Sequence, residues 1–361
     1  MRNVKESSAE AVVYKKFASN NIFILTYMNF IPSYIGTYNS GDFWRRVETA
    51  HNILQSCTSC PRNCNVDRTS GEEFGICQSG DLPVVSSYTP HFGEEPVLSG
   101  TKGAGNIFFG NCNLRCVFCQ NHVISQNYKV EQRNEVSNER LAEIMIELQN
   151  RKCHNIGLVS PTHFSASILK SVYLAVEKGL MLPIIFNTNG YDTVEMLKLY
   201  EGIIDIYLPD FKYGDNFAGK TYSKVSDYFE KAKAAIKEMY EQVGSELVYE
   251  DGVVVRGLII RHLILPNGLA ETDNIFKFIA EELDQKVHIS LMAQYFPANK
   301  TEKYPLINRS ISYSEYSRAV DLLDKYGLEN GWIQELESGE SYRPFFEETR
   351  KDPFRNNMLI D

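Results

Sequence analysis

From residue 107 to residue 336, short apolar segments alternate with longer amphipathic segments. The short segments have the length of buried strands, and in the long ones apolar residues recur every three to four positions, as in a helix that packs on one face. The predicted strands are 107–109, 155–159, 183–187, 203–208, 254–265, 287–293 and 331–336. The predicted helices are 137–151, 165–178, one that opens with a capping box at Asp192 and Glu195, 224–243, 272–283 and 313–325. Repeated strand–helix units require parallel strands with right-handed crossovers, so we predict an α/β fold that is a full or partial (β/α) barrel.

The chain upstream of the barrel has a different character. A helix is predicted at 42–54, and residues 56–95 are rich in Cys, Gly, Pro and Ser, which indicates a small irregular module that needs a metal or another cross-link. We therefore divide the chain into an N-terminal extension (1–30), a helical lead-in with a cysteine-rich metal-binding module (31–98), the barrel (99–340) and a C-terminal tail (341–361).

Charge and hydropathy exclude two classes of partner. The net charge is −9 and no run of Lys and Arg forms a basic stripe, so we expect no nucleic-acid partner. Apolar stretches such as 22–30 are too short and too interrupted to cross a membrane, and the N-terminus lacks the apolar core of a signal peptide. We expect a cytoplasmic protein that does not bind membranes.

Seven of the eight cysteines fall in two tight groups. The first contains Cys57, Cys60, Cys64 and Cys77, and the second contains Cys112, Cys116 and Cys119, whereas Cys153 stands alone. Cysteines two or three residues apart are poorly placed to form disulfides with each other but well placed to converge on a metal. In a reducing compartment the metal interpretation is favoured.

The second group has the spacing C-x3-C-x2-C on one predicted loop. Three thiolates bind three irons of a [4Fe–4S] cluster and leave the fourth iron open, much as a catalytic zinc keeps one position free. The amino and carboxylate groups of S-adenosylmethionine (SAM) can chelate such an iron, and an electron from the cluster then releases a 5′-deoxyadenosyl radical. The structural alternatives are a zinc knuckle or a four-ligand cluster completed by Cys153.

The cysteine loop carries the resemblance to a known family. With Phe118 before the third cysteine, it resembles the C-x3-C-x-aromatic-C signature of the radical SAM superfamily. Further motifs, in a consistent order, are similar to the PflX-like branch of pyruvate formate-lyase activating enzymes: C-P-R-N-C at 60–64, H-F-G-E-E-P at 91–96, C-V-F-C-Q-N at 116–121, S-P-T-H-F at 160–164, N-T-N-G-Y at 187–191, D-F-K at 210–212, R-H-L-I-L-P at 261–266 and M-A-Q-Y at 292–295. The resemblance implies a radical SAM oxidoreductase with a barrel of that type, which takes electrons from a low-potential donor such as a flavodoxin or ferredoxin and activates a glycyl-radical enzyme.

Polar residues follow each predicted strand at the barrel end where catalytic groups gather. For the SAM ribose we consider Asn187, Asn189 and Asp210; for its carboxylate Lys212 and Arg261; and for its adenine Phe118. Relatives hold the SAM amino group with a Gly-Gly-Glu turn after the second strand, where this chain has Ser-Pro-Thr-His at 160–163, so Thr162 and His163 are added to the candidates.

Several of these residues have structural alternatives. His163 is a polar SAM contact or a satisfied core histidine, and Asp210 and Lys212 bind SAM or simply pair as a salt bridge. Glu94 and Glu95 face the pocket or cap a helix.

The first cysteine group supplies four thiolates within 21 residues, at 57, 60, 64 and 77. This set is sufficient for a tetrahedral zinc site or for a second, fully ligated cluster. A cluster would relay electrons, whereas zinc would only fold the module, and we favour a structural metal that docks the module beside the barrel.

Three functional hypotheses follow. The first is a SAM-cleaving enzyme that abstracts hydrogen and activates a glycyl-radical enzyme. The second is a radical SAM enzyme that modifies a small molecule or a peptide. The third is a non-catalytic iron–sulfur or zinc protein that senses oxygen or carries electrons.

Overall fold

The computed structural model describes residues 30–71 and 74–336, together with Phe346, Lys351 and Pro353. The predicted extension at 1–30 and the predicted tail at 341–361 lie outside this description, apart from Phe30 and those three residues.

Nine strands form a mostly parallel sheet within the described residues. They are β1 (Val85–His91), β2 (Ala104–Phe109), β3 (Ile156–Val159), β4 (Ile184–Thr188), β5 (Ile206–Pro209), β6 (Val248–Glu250), β7 (Val253–Leu263), β8 (His288–Met292) and β9 (Gly331–Ile333). The helices are α1 (Ser33–Asn39), α2 (Asp42–Ile53), α3 (Pro96–Ser99), α4 (His122–Ser125), α5 (Tyr128–Glu131), α6 (Asn138–Asn150), α7 (Ser165–Glu177), α8 (Val194–Leu199), α9 (Asn216–Ala218), α10 (Tyr228–Val243), α11 (Thr272–Phe278) and α12 (Tyr313–Tyr326). None of these helices is long and apolar enough to cross a membrane.

The strand order is β1-β2-β3-β4-β5-β7-β8-β9, and β6 pairs with β7 outside this path. Strands β2 to β5 and β7 to β9 are parallel, whereas β1 and β6 pair antiparallel with their neighbours. No pairing joins β1 to β9 in the described part of the chain, so the barrel is partial. The sheet nevertheless curves, as a contact between its distant strands shows. Gln120, in the loop after β2, donates to the carbonyl of Gln294, which follows β8, at 3.1 Å. The predicted α/β barrel is confirmed in its partial form.

The two faces of the sheet have separate cores because successive side chains of a strand point to opposite faces. One face packs against the helices and carries residues such as Ile184, Phe186 and Tyr207. On the barrel interior, Leu98 of α3 packs with Ile185, Ile206, Leu208, Val254 and Ile259. This short helix therefore closes the barrel interior from the end at which β1 joins β2.

Most predicted elements are confirmed within a few residues of their ends, but three details differ. Strands β1 and β6 were not predicted, since V-S-S-Y-T-P-H in β1 has no apolar alternation and its burial comes from pairing with β2. The capping box at Asp192 is wrong. Helix α8 begins at Val194 without a side-chain cap, and the Asp192 carboxylate instead accepts hydrogen bonds from Thr162 and Thr188. The helix predicted from residue 224 begins at Tyr228, because Lys224 has a left-handed backbone (φ 62°).

Candidate active site

The second cysteine group lies on a loop directly after β2. The loop begins at Gly110, where a Cβ atom would lie 2.6 Å from Val84, and turns at Asn111, whose φ is 65°. The side-chain amide of Asn111 donates to the carbonyl of Gln78 and to Ser79 in the cysteine-rich module. The module thus fixes the turn that aims the cysteines.

The three thiols are buried or half-buried and each has a hydrogen-bonding neighbour. Burial, with a smaller contribution from the neighbouring Cys116 thiol, raises the pKa of Cys112 to about 11 and that of Cys119 to about 12. Such thiols ionise readily only when a metal replaces the proton. The neighbours are Ser223 Oγ at 2.9 Å from Cys116, Ser125 Oγ at 3.2 Å from Cys119, and the Leu114 amide at 3.4 Å and Asn189 Nδ2 at 3.5 Å from Cys112. These donors would stabilise sulfur ligands of a cluster and tune its potential.

Cys153 lies at the opposite end of the barrel strand. A Cβ atom on Gly105, the second residue of β2, would be 3.2 Å from Cβ of Cys153, whereas Cys112 follows the other end of the same strand. Six strand residues span about 17 Å at ~3.3 Å per residue. Cys153 is therefore too far away to be the fourth ligand of the second group, and that alternative is wrong.

The donor set fits a cluster that binds three cysteines and leaves one position open. Its three thiols interact electrostatically with one another and with the Lys212 ammonium, so they face a common volume. Among the described residues, no three His, Cys, Asp or Glu side chains are arranged around a single metal ion. The thiolates of a [4Fe–4S] cluster bind separate irons, so they stand farther apart than the ligands of one ion.

The ends of β4 and β5 bring polar groups to this volume. Asn189 contacts Cys112 and also donates to Asn113 Oδ1 at 2.7 Å. Asn187 follows the interior residue Ile185 by two positions, so it faces the barrel interior; its side-chain amide has no hydrogen-bond partner within the described residues.

Lys212 and Asp210 form a salt bridge of 2.6 Å at the end of β5. Burial alone would lower the pKa of Lys212, but Asp210 and the thiols Cys116 and Cys119 hold it above its ordinary value. The ammonium is thus a permanent cation beside the sulfur atoms.

Arg261 forms ion pairs with Glu94 and Glu95, the two glutamates for which the sequence left two roles open. Its guanidinium forms ion pairs with Glu94 and with Glu95, the latter at 2.5 Å, and Asn106 donates to Glu94 at 2.6 Å. Glu95 precedes α3 but makes no side-chain cap, so both glutamates face the barrel interior. Burial would raise the pKa of Glu94, yet Arg261 and His91 lower it to about 2. This network lines the floor of the barrel, and the contact between Arg261 and the SAM carboxylate stays a prediction.

Thr162 and His163 are buried and already bonded within the fold. Thr162 donates to Asp192 at 2.7 Å, and His163 Nε2 lies 2.8 Å from the carbonyl of Gly110. Burial lowers the pKa of His163 to about 3, so the ring is neutral and supports the start of the cysteine loop. The preceding Ser160 has a φ of 59°, an uncommon conformation for a residue other than glycine.

Phe118 is 5% exposed and packs edge-on against Tyr213 and Tyr295. These contacts account for it as a core residue of the loop, and its contact with adenine stays a prediction.

A buried arginine lies beside the first cysteine group. Burial, with smaller contributions from Cys77, Cys57 and Cys64, raises the pKa of Cys60 to about 12. Arg68 is 2% exposed and donates to Cys57 Sγ at 3.7 Å and to the carbonyl oxygens of 79 and 80.

Residues that the sequence analysis missed join the two cysteine groups. Arg62 of the module donates to the carbonyl of Asn113 at 2.8 Å and to that of Ser223 at 3.3 Å. Arg62 lies within the quoted C-P-R-N-C motif, which was its only sequence signal. Ser223 is 107 residues from Cys116, which it contacts, and no motif marks it.

A partial parallel barrel whose first parallel strand leads into a loop with three cysteines, with polar residues at the following strand ends, is typical of iron–sulfur enzymes with an open cluster position. A family model for the radical SAM superfamily matches residues 106–250. Residues 106–250 therefore form a radical SAM domain, and this family implies a [4Fe–4S] cluster, SAM and a source of electrons.

Three individual proteins are similar to this chain over most of its length. The uncharacterized protein MJ0674 of Methanocaldococcus jannaschii is 37% identical over 291 residues, which cover 79% of this chain and 79% of that protein. The uncharacterized protein MJ0808 of the same organism is 26% identical over 268 residues, covering 69% and 73%. The crystal structure of methylornithine synthase (PylB) is similar with a TM-score of 0.43 and 14% identity, covering 90% of this chain and 91% of that one.

Proposed function

We propose that this enzyme reductively cleaves SAM at a [4Fe–4S] cluster held by Cys112, Cys116 and Cys119. The observation that carries the proposal is the arrangement of three mutually interacting thiols on one loop, with Cys153 at the other end of β2. A cluster bound by these cysteines would supply the electron for reductive cleavage of a S–C bond of SAM, which is the chemistry that makes hydrogen abstraction from a substrate possible.

The chain's own residues bind and orient SAM. Lys212, a half-buried cation beside the sulfur atoms, suits the SAM carboxylate, and the Asn187 amide, which has no hydrogen-bond partner among the described residues, suits the ribose hydroxyls. Ser160 presents a left-handed backbone turn where relatives have glycine, which suits a contact between main-chain oxygen and the SAM amino group. Asn189 contacts Cys112 at 3.5 Å, and its contact with the SAM ribose stays a prediction.

The substrate we propose is a protein glycine, so the enzyme activates a glycyl-radical enzyme. The motifs at 60–64, 91–96 and 187–191, similar to the PflX-like branch, support this assignment. The protein would act in the cytoplasm with a low-potential electron donor.

For the first cysteine group we propose a second metal centre with four thiolate ligands, either zinc or a cluster. Its support is Arg68, whose buried guanidinium has only carbonyl oxygens and a cysteine sulfur as partners in the described chain. A buried cation requires a nearby negative charge, and thiolates bound to a metal supply it. The direct contacts of Arg62 with the second loop would let such a centre stabilise that loop.

Cysteine variants test the proposal. Anaerobically reconstituted protein with dithionite should convert SAM to 5′-deoxyadenosine, Cys116→Ala should abolish the conversion, and Cys153→Ala should retain it. Wild-type protein with a full cluster and no 5′-deoxyadenosine would refute SAM cleavage. The glycine assignment needs a glycyl EPR signal when a glycyl-radical enzyme is added; a new product from a small molecule or peptide without that signal would favour the second hypothesis.

A further inference from the structure

A positively charged groove lies on the outer side of the two cysteine loops. We call it the basic groove; it has a volume of about 640 Å³ and is lined by Arg62, Ile76, Gln78, Arg115, Gln126, Tyr128, Lys224 and Lys300. Four of these residues are cations and none is acidic, although the chain as a whole carries a net charge of −9. The groove is therefore positively charged, although the net charge of the whole chain is negative.

The four cations have neutral partners. Arg62 and Arg115 donate to main-chain carbonyl groups, including those of Asn113 and Ser125, at 2.8 and 3.2 Å. Lys224 donates to the Tyr304 hydroxyl at 2.8 Å, and Lys300 to the side-chain oxygen of Gln126 at 3.4 Å. Within the described residues no carboxylate lies within ion-pair distance of any of them. Four uncompensated charges in one groove favour an anionic partner.

The groove borders both predicted metal sites. Arg115 lies between Cys112 and Cys116 in the chain, and Gln126 donates to the carbonyl of Cys116 at 2.8 Å. On the other wall, the amide of Ile76 donates to Cys64 Sγ at 3.5 Å. A molecule bound in the groove is thus separated from either set of thiols by one layer of residues.

The groove also exposes apolar surface. Ile76 is 46% exposed and Tyr128 is 39% exposed, and both line it together with the cations. Aromatic and aliphatic side chains surrounded by charged residues are typical of a protein–protein contact, whereas a small anion would not be stabilised by apolar side chains.

We propose that the basic groove docks an acidic one-electron carrier protein of the flavodoxin or ferredoxin type. The inference rests on the proposed function, because only a SAM-cleaving enzyme of this kind needs a low-potential electron. The reduced carrier loses one electron and the SAM-binding cluster gains it, with no transfer of atoms. Positive charge on the enzyme steers the acidic carrier to the face nearest the cysteines, and the exposed apolar residues hold it there.

Lys224 and Lys300 are the residues to change. Both are exposed, whereas Arg62 and Arg115 also hold the cysteine loop. We compare the double variant Lys224→Glu/Lys300→Glu, and the milder Lys224→Gln/Lys300→Gln, with the control Lys237→Glu/Lys277→Glu, which makes the same charge change at exposed sites on α10 and α11.

The first readout is the Kd of oxidised flavodoxin for the anaerobic holoenzyme, measured by calorimetry at low and high salt. The Glu double variant should bind at least roughly 10-fold more weakly than wild type, with a flatter salt dependence, and the Gln variant should fall between the two. The control should bind like wild type. Equal Kd values for the Glu variant and the control would overturn the proposal.

The second readout separates docking from chemistry. With reduced flavodoxin, the EPR signal of the reduced cluster should appear more slowly in the Glu variant, whereas with dithionite, a small reductant, SAM cleavage should match wild type. Equal rates of reduction by flavodoxin in the variant and the control would refute the docking site. Failure of dithionite-driven cleavage in wild type would refute the proposed function and leave the calorimetric result standing.

Discussion

Asp192 offers a test of the buried network that joins β3 and β4. Its two carboxylate oxygens accept hydrogen bonds from Thr162 at 2.7 Å and Thr188 at 2.6 Å, and the two hydroxyls are 3.1 Å apart. Burial raises the pKa of Asp192 to about 6, although the two hydroxyls lower it. An amide in this place can donate to Thr188, which donates to Thr162, which donates back to the amide oxygen. Asp192→Asn therefore completes a closed ring of hydrogen bonds and removes a buried charge, and the second N–H of the amide, which the ring does not use, offsets part of this gain.

The gain depends on pH in a defined direction. An aspartate in the unfolded chain loses its proton near pH 3.9, whereas Asp192 in the folded protein keeps it up to about pH 6. Between these values the unfolded state binds fewer protons, so the stability of the wild type falls as pH rises. The loss is complete above pH 6 and amounts to about 3 kcal/mol, from two pH units at ~1.4 kcal/mol each.

Urea denaturation of wild type and Asp192→Asn at pH 5 and pH 8 measures this difference. We expect the variant to be more stable at pH 8 by up to ~3 kcal/mol and by about half of that at pH 5. A gain that does not grow with pH, or a variant less stable than wild type at pH 8, would show that the charge of Asp192 is better compensated than its two hydroxyl partners indicate.

Asp205 provides the matched control. Burial raises its pKa to about 6 as well, but its oxygens accept from the main-chain amides of Ser33 and Ile184 at 2.8 and 3.1 Å. A main-chain N–H can only donate a hydrogen bond. In Asp205→Asn the side-chain NH2 would therefore face another N–H, which should lower the free energy of unfolding by about 1–3 kcal/mol. We expect no net stabilisation from this variant at pH 8.

Two further variants test the buried cations. Arg68→Met should remove the charge that balances the first cysteine group, so metal analysis should show loss of that centre while the second group keeps its iron; unchanged metal content would argue against a thiolate centre there. Arg261→Met leaves Glu94 and Glu95 buried without a cation, so the free energy of unfolding, measured in urea at pH 8, should fall by about 3–5 kcal/mol. The control Lys325→Met, which removes an exposed ion pair, should cause no measurable change. Similar results for the two variants would contradict the barrel-floor network.

The sequence predicts the barrel well because its signal is local. The parallel strands are largely buried on both faces, so segments such as 184–186 (I-I-F) are continuously apolar and stand out from the amphipathic helices around them. Strand β1 escapes this logic. Its serines and threonine are buried because β1 pairs with β2, and the sequence V-S-S-Y-T-P-H has no pattern that predicts a strand.

The site shows the same division. The spacing of Cys112, Cys116 and Cys119 predicts their convergence because all three lie on one loop. Partners from distant parts of the chain, such as Ser223, could not be predicted, since only the folded barrel brings a serine from after α9 to Cys116. The pairing of Arg261 with Glu94 and Glu95 likewise depends on how the segment after β1 enters the barrel.

The antiparallel β1 has a consequence for the life of the protein in a cell. It covers the edge of β2, and it follows closely on the segment at 79–80 that Arg68 holds inside the cysteine-rich module. A chain that fails to acquire metal in this module would lose the anchor of β1 and expose the free edge of a parallel sheet, which is a template for aggregation. Metal supply would then govern the abundance of the protein as well as its activity, because unloaded molecules would be removed by proteolysis before they accumulate.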